Sequence, residues 1–302
     1  MKASAAGWTA TIVLALAVAW PGAAGATTYV TETFTCPIGG EKFKARSVVS
    51  NITFGQRPDG KPYSPLPVYP IPECPLNGFL LFEKDFGEDE LAVLAAAIAT
   101  DEYRAMRDRE TPRYRAWWLM TRLKRPALER AYMLFQAPWE SDDDWDRKVR
   151  YMAAFVNEVA ALERTEDEAD AWFWITLRAA NSLRELGHFD KAAAMIERAT
   201  APGNLPGDPE AAEGARIYVD ALAALVAERN PLSEPASLVP ARFAAVRCTV
   251  PRPALTPSEE RACARPEVAE AVAEFKTRDD EGRKLTGEAA IRFLDQRRRA
   301  QD

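Results

Sequence analysis

Residues 186–199 read LGHFDKAAAMIERA, and this segment predicts two packed helices joined by a tight turn. Gly187 suits the turn, because glycine accepts the left-handed backbone in which helices commonly end. Phe189 follows two positions later, and the small residues Ala192 and Ala199 would let two helix backbones approach closely. The segment therefore predicts a helical hairpin centred on the glycine.

The same segment resembles the second half of a tetratricopeptide repeat, a helical hairpin of about 34 residues that stacks into arrays. Suitable packing residues also occupy the first helix of that repeat, although its tryptophan position departs from the pattern; they are Thr176, Ala179, Ala180 and Leu183. One such unit cannot bury its own faces, so we expect the flanking helices to act as degenerate repeats. An ordinary helical hairpin is the alternative interpretation.

In such repeats the first helix of each unit lines a concave groove. On this register the residues that face the groove are Trp174, Leu177, Asn181 and Arg184. An arginine and an asparagine beside an indole would suit an extended peptide or an acidic chain terminus. We therefore expect Trp174, Asn181 and Arg184 to bind a peptide or protein partner. In the alternative interpretation, Trp174 belongs to the core and Arg184 is solvated.

Helical periodicity extends through most of the chain after Phe86. Thr111-Pro112 predicts a helix start, and the segments 141–144 and 165–168 read as capping boxes. We expect helices over 88–107, from 112, from 126, from the capping box at 141–144 to about 162, and from the capping box at 165–168 to about 186. After a turn at 187–190, further helices are expected through 192–199, over 208–228 and over 266–299, the last either continuous or broken near 280–282. Residues 230–257 are rich in proline and are expected to be irregular.

The N-terminal part has a different composition. Residues 29–54 are rich in β-forming side chains and predict two or three short strands. Six prolines between 62 and 75 exclude a helix and favour an extended path. The predicted fold is mainly α, with a small N-terminal β module. The expected units are a signal peptide at 1–26, the β module at 27–86, a repeat-like helical domain at 87–229, and a proline-rich segment with a charged helix at 230–302.

The first residues have the parts of a secretory signal peptide: Lys2, an apolar run, and Ala24-Gly25-Ala26 as a cleavage signal. The apolar run is short for a membrane span, so a retained anchor is the weaker alternative. We expect a periplasmic or secreted protein after cleavage near Ala26. The net charge of −6 argues against a nucleic-acid partner, because binding to phosphates requires a basic face.

Two segments, Cys36-Pro37-Ile38-Gly39-Gly40 and Cys74-Pro75-Leu76-Asn77-Gly78, look like zinc knuckles that have lost their second cysteine. Structural zinc requires four ligands, so no metal is predicted. The first cysteines of two opposed knuckles lie close together in a folded zinc ribbon, and disulfides persist in exported proteins. We expect Cys36 to pair with Cys74, and Cys248 with Cys263. A catalytic thiol is the alternative, but the chain has one histidine, His188.

No catalytic set is evident from the sequence. A Ser-His-Asp triad would require His188, which lies in the predicted turn. Glu73, Glu83 and Asp85 flank the second knuckle and could form an acid/base pair in a cleft near Cys74, which would indicate a carboxylate-dependent envelope hydrolase. No phosphate-binding loop or dinucleotide fingerprint is present, and no cofactor is predicted.

Several motifs resemble an uncharacterised bacterial family that joins an N-terminal zinc-ribbon-like module to tetratricopeptide-like helices. They are Cys36-Pro37-x-Gly39-Gly40-x-x-Phe43, Phe54-Gly55-Gln56-Arg57-x-Asp59, Cys74-Pro75-x-x-Gly78-Phe79, the segment 82–86 and the Leu-Gly-x-Phe turn. The resemblance covers about 34–199 and implies zinc held by four cysteines. This chain departs from the four-cysteine pattern at Gly39 and Asn77. It therefore looks like an exported branch of the family that has lost the metal. The resemblance implies no activity, so we predict an exported binding or scaffold protein.

Overall fold

The computed structural model describes residues 27–300 of the 302-residue chain. Within that range the chain is mainly α-helical, with a small antiparallel sheet near its N-terminus, which confirms the predicted fold class. The predicted signal peptide at 1–26 lies outside the described residues. The strands are β1 (Thr27–Thr35), β2 (Lys42–Asn51), β3 (Lys276–Arg278) and β4 (Lys284–Thr286). The helices are α1 (Glu88–Ile98), α2 (Asp101–Arg109), α3 (Pro112–Arg122), α4 (Ala127–Phe135), α5 (Trp145–Ala160), α6 (Ala169–Glu185), α7 (Phe189–Thr200), α8 (Pro209–Ala227), α9 (Ala241–Thr249), α10 (Pro257–Cys263), α11 (Pro266–Glu274) and α12 (Gly287–Arg299).

The N-terminal strands form one hairpin, in which Phe34 of β1 lies opposite Phe43 of β2 and the two rings stack at 5.7 Å. Residues 52–86 form no helix, as their proline spacing predicts. They run along the helical domain and bring Cys74 back beside the hairpin turn that carries Cys36. The hairpin has only two strands, so most of its residues are exposed and its stability depends on this contact.

Helices α4, α5, α7 and α8 pack around α6, which is the most buried helix of the array. The α6–α7 hairpin forms as predicted, and Gly187 ends α6 with a φ of +76°. The small residues Ala179 and Ala180 of α6 and Ala192 and Ala199 of α7 are fully buried. Their lack of bulk lets the two helices pack closely, as the motif predicts.

Some predicted boundaries are wrong. The expected helix over 88–107 is divided into α1 and α2, because the Thr100 side chain accepts a hydrogen bond from the backbone of Tyr103 and starts a new helix. Asp144, rather than Ser141, caps α5. No side chain caps α6, which begins at Ala169. Residues 230–257 contain α9. The final helix is broken at the position named as the alternative, near 280–282, where the β3–β4 hairpin turns.

Apolar residues from the proline-rich and C-terminal parts of the chain meet in a separate cluster around α9 to α12. The ring of Tyr63 stacks on that of Phe243 with their centroids 3.4 Å apart, which joins the N-terminal segment to α9. A disulfide between Cys248 and Cys263 links α9 to α10. Between Thr27 and Ala300, no helix has both the length and the hydrophobicity that crossing a bilayer requires.

Candidate functional site

The residues predicted to line the repeat groove are covered by the chain itself. Asn181 and Arg184 are fully buried, and Trp174 is half-buried, with its ring edge-on to that of Tyr218 at 6.1 Å. One Arg184 nitrogen, Nη1, donates at 2.7 Å to two backbone carbonyls of the segment after α8, those of residues 230 and 232. The expectation that Asn181 and Arg184 face a partner is therefore corrected, because this segment occupies their side of α6.

The polar network around Arg184 explains why a charge can be buried there. Its Nη2 donates to Asn181 Oδ1 at 2.8 Å, and Asn181 Nδ2 donates to the carboxylate of Glu185 at 2.8 Å. Ser233 donates to the second oxygen of Glu185. Burial raises the pKa of Glu185 above its ordinary value. Every charged group here has partners within the chain, so the network stabilises the docking of residues 230–233.

The two predicted disulfides are present, Cys36 with Cys74 and Cys248 with Cys263. The turns after Cys36 and Cys74 have the same hydrogen-bond pattern. In each turn the glycine four residues on, Gly40 or Gly78, donates its amide to the cysteine carbonyl. The cysteine amide in turn donates to the carbonyl five residues on. The bond therefore joins two equivalent turns, with the Cα atoms of Cys36 and Cys74 5.7 Å apart.

The donors at these turns do not fit the four-cysteine zinc site that the family resemblance implies. Both sulfurs form the disulfide, and a disulfide sulfur has no thiolate charge to offer a metal. Asn77, at one missing cysteine position, donates its side-chain amide to Ile38 O and accepts from the amide of Phe79 at 2.9 Å. The Glu41 carboxylate lies within 4.8 Å of the sulfurs, but one carboxylate does not replace four thiolates.

The carboxylates proposed for an envelope hydrolase are held separately. Glu73 forms ion pairs with Arg107 at 3.0 Å and with Arg115 at 2.7 Å. Glu83 forms an ion pair with Arg125 at 2.7 Å. Asp85 is exposed. Different arginines thus neutralise the two glutamates, so the acid/base pair expected near Cys74 is not assembled.

A charged junction fixes the loop after β2 on the helical domain. Asp142 accepts hydrogen bonds from Arg57 at 2.8 Å, Lys61 at 2.6 Å and Lys148 at 2.7 Å, and Arg57 also pairs with Asp59. Burial alone would raise the pKa of Asp142, but the hydrogen bonds from these three cations outweigh burial and hold that pKa well below its ordinary value. The charged groups of the junction are therefore paired with one another, which holds the loop in place.

We expect Asp142→Asn to lower the free energy of unfolding at pH 7, because three cations lose their shared carboxylate. The pKa of Asp142 is depressed in the folded state, so its contribution to stability is complete above the unfolded-state value of about 4 and is lost as the pH falls below it. The difference in unfolding free energy between wild type and variant should therefore shrink from pH 7 to about pH 3. The side chain is 35% exposed, so solvent reduces the effect.

Urea unfolding at several pH values measures this difference. Asp143→Asn is the matched control, because the neighbouring Asp143 is exposed and forms no ion pair within residues 27–300. It should change the unfolding free energy little at any pH. A difference for Asp142→Asn that stays constant down to pH 3 would contradict the role assigned to the junction.

A cleft between α5 and α7 is open on the repeat-like helices. It has a volume of about 470 Å³. The α5 side consists of Ala153, Val156, Asn157 and Ala160, and the α7 side of Lys191, Ala194, Met195 and Arg198. Both sets follow the spacing i, i+3, i+4, i+7, which places each set in a single stripe along its helix. The floor is apolar and comes from the end of α6, at Leu183 and Leu186.

The two helices run in the same direction, and Arg198 holds their C-terminal ends together. Its guanidinium donates to the carbonyls of Val159 at 3.2 Å and of Leu162, at the point where α5 ends. It also lies over the ring of Trp172, at 5.1 Å from the ring centroid. The positive charge complements the negative end of the α5 dipole, so the arginine closes one end of the cleft and defines its shape.

All the charge in the cleft is positive. Lys191 and Arg198 line it together with His188, and none of the described lining residues is acidic. Lys191 is exposed and has no ion-pair partner in the part of the chain that the structure describes. An apolar floor with a cationic rim is suited to an apolar side chain flanked by carboxylates.

Sequence reasoning missed this cleft, although the signal is present. The core stripe of α7 includes Ala192, Ile196 and Ala199. The cleft stripe, with Ala194 and Met195, is displaced around the same helix. Because alanine and methionine occur on both faces, periodicity alone does not show which face is left open. The location of the cleft depends on tertiary packing, namely on how far α5 and α7 are separated by α6.

No protein-family model, curated protein or solved structure significantly matches this chain. The resemblance to the zinc-ribbon and tetratricopeptide family therefore stays a prediction. The function has to be inferred from the geometry of the described residues.

Proposed function

We propose that the protein is an exported binding or scaffold protein, and that it holds a peptide or protein partner in the α5–α7 cleft. The observation that carries this proposal is the cleft itself, in which two parallel helices present matched stripes over an apolar floor. Exposed apolar concavities of this kind are typical of binding sites. The two disulfides are consistent with an oxidising compartment outside the cytoplasm.

We assign partner binding to this cleft and not to the face of α6 that the sequence predicts to line a groove. That face holds a segment of the chain in place of a partner, through the contacts of Arg184 with residues 230 and 232. The cleft on the other side of the hairpin has no such occupant among residues 27–300. A binding role therefore rests on α5 and α7, and Trp174, Asn181 and Arg184 take part only by building the scaffold.

Site-specific photocrosslinking in the native cell envelope tests this proposal. A benzophenone amino acid is placed at Ala153 or at Ala160, which are both exposed on the α5 side of the cleft. The control position is Ala273 of α11, an exposed alanine remote from the cleft in the sequence and absent from its lining. We expect the same discrete crosslinked partner from both cleft positions and not from the control.

Two results would refute the proposal. One is the absence of any crosslink from Ala153 and Ala160, and the other is the same pattern of crosslinks from these positions and from Ala273. Circular dichroism and retention of both disulfides would verify that each labelled protein is folded.

A further inference from the structure

We propose that the partner held in the cleft is an acidic amphipathic α-helix supplied by another protein. The inference rests on the binding function proposed above and adds the secondary structure and charge of the occupant. Three features of the cleft lead to it: the two parallel stripes, the shortage of hydrogen-bonding groups, and the spacing of the positive charges.

The stripes fit a third helix. Ala153 and Ala160 on α5 and Ala194 on α7 are small, so the backbone of a helix lying between α5 and α7 could approach closely. Leucine-sized side chains on that helix would reach the floor at Leu183 and Leu186. Side chains spaced i, i+3 or i+4, and i+7 are the usual anchors of a helix that binds in a groove.

The polarity of the lining favours a helix over an extended peptide. An extended chain would bury backbone amides and carbonyls that require partners from the cleft. Besides Lys191 and Arg198, the hydrogen-bonding side chains there are Asn157 and His188, and both lie at the rim. A helix satisfies its own backbone groups internally, so it can lie on an apolar floor without this cost.

The positive charges of the cleft indicate that the bound helix carries acidic side chains. Lys191 and Arg198 are seven residues apart on α7, so they lie on one face about 10.5 Å apart along the helix axis. Two carboxylates at a seven-residue spacing on the incoming helix would face these two cations. Lys191 contributes more, because it has no ion-pair partner among residues 27–300, whereas Arg198 is already hydrogen-bonded to α5.

A second copy of this chain is the competing occupant. Helix α8 exposes Ile217, 64% accessible, between Glu213 and Asp220. Its stripe has the required chemistry, but binding of α8 to the cleft of the next copy would be a head-to-tail contact, which generates open polymers unless it closes into a ring. We therefore assign the cleft to a different protein and treat polymerisation as an outcome of the test.

The test uses the full mature protein and a designed probe. The probe is a fluorescent, hydrocarbon-stapled helical peptide of about 18 residues, with leucines at i, i+3 and i+7 and two glutamates seven residues apart that flank them. Fluorescence anisotropy gives its Kd. Two further probes are compared: one with lysines in place of the glutamates, and an unstapled one with a central proline that prevents a helix.

We expect the acidic helical probe to bind and the lysine and proline probes to bind at least tenfold more weakly. Lys191→Glu should weaken binding of the acidic probe roughly tenfold and should strengthen that of the lysine probe. Lys44→Glu is the matched control, because Lys44 is an exposed lysine on β2, and it should leave the Kd unchanged. Raising the NaCl concentration should weaken the binding of the acidic probe to the wild type.

The inference is overturned if the acidic and lysine probes bind equally, if neither binds, or if the proline probe binds as well as the helical one. It is also overturned if sedimentation shows concentration-dependent polymers that Lys191→Glu abolishes, since the occupant is then a second copy. The two proposals fail separately. Crosslinks specific to Ala153 and Ala160 without binding of the acidic helix would preserve the binding function and reject only this occupant.

Discussion

Arg184→Met is expected to lower the free energy of unfolding by about 4 kcal/mol. The change removes the donor to the carbonyls of residues 230 and 232, of which the first is left buried and the second half-buried without that partner. It also leaves the fully buried carboxylate of Glu185 without the positive charge that lies 3.7 Å away. Methionine has a similar length and keeps the packing, so the loss reports the polar network.

Urea unfolding followed by circular dichroism measures this loss. Arg216→Met is the matched control, because Arg216 is half-exposed on α8 and, among residues 27–300, pairs only with Glu213. We expect a change within about 0.5 kcal/mol. If Arg184→Met does not accumulate, Arg184→Lys retains the charge but not the forked geometry and should give a smaller loss. A loss below about 1 kcal/mol would mean that residues 230–233 are not held on α6 by this side chain.

Arg184 also shows where sequence reasoning reached its limit. The α6–α7 hairpin could be predicted because its signals are local: the turn at Gly187 and the small residues on both sides lie within one short segment. The environment of Arg184 depends on residues 46 and 48 positions later in the chain. Nothing near the arginine indicates that a later segment covers it, so a buried arginine and a groove arginine look the same in the sequence.

The proline-rich segments show a similar limit. High proline content correctly predicts the absence of a helix over 62–75, where several prolines follow at intervals of two or three residues. In 230–257 the prolines are farther apart, and Pro240 stands immediately before α9 as its N-cap residue. Proline is compatible with the first turn of a helix, so its presence there marks a helix start rather than irregular chain.

Replacing Cys36 and Cys74 with alanine is expected to lower the free energy of unfolding by about 4 kcal/mol. The bond closes a separation of 38 residues, so its loss gives the unfolded chain considerable conformational freedom. Both cysteines are buried in the cluster that joins the hairpin turn to α1, α2 and α3, through Phe79, Leu94 and Tyr103. Removing the bond should therefore also loosen the contact between the β1–β2 hairpin and the helices, because few other contacts hold the hairpin in place.

The second disulfide provides a matched control for this prediction. Cys248 and Cys263 are separated by 15 residues, so their replacement by alanine should cost about 3 kcal/mol, less than the loss of the first bond. Urea unfolding of the two double variants under oxidising conditions measures both losses, and wild type treated with a dithiol reductant should lose at least as much as either variant. If the two double variants lose equal stability, or if the Cys248–Cys263 variant loses more, loop length does not determine how much each disulfide stabilises the fold. In that case the equivalent turns at Cys36 and Cys74 would be held mainly by their own hydrogen bonds and by packing on Tyr103, and the covalent link would be secondary to that packing.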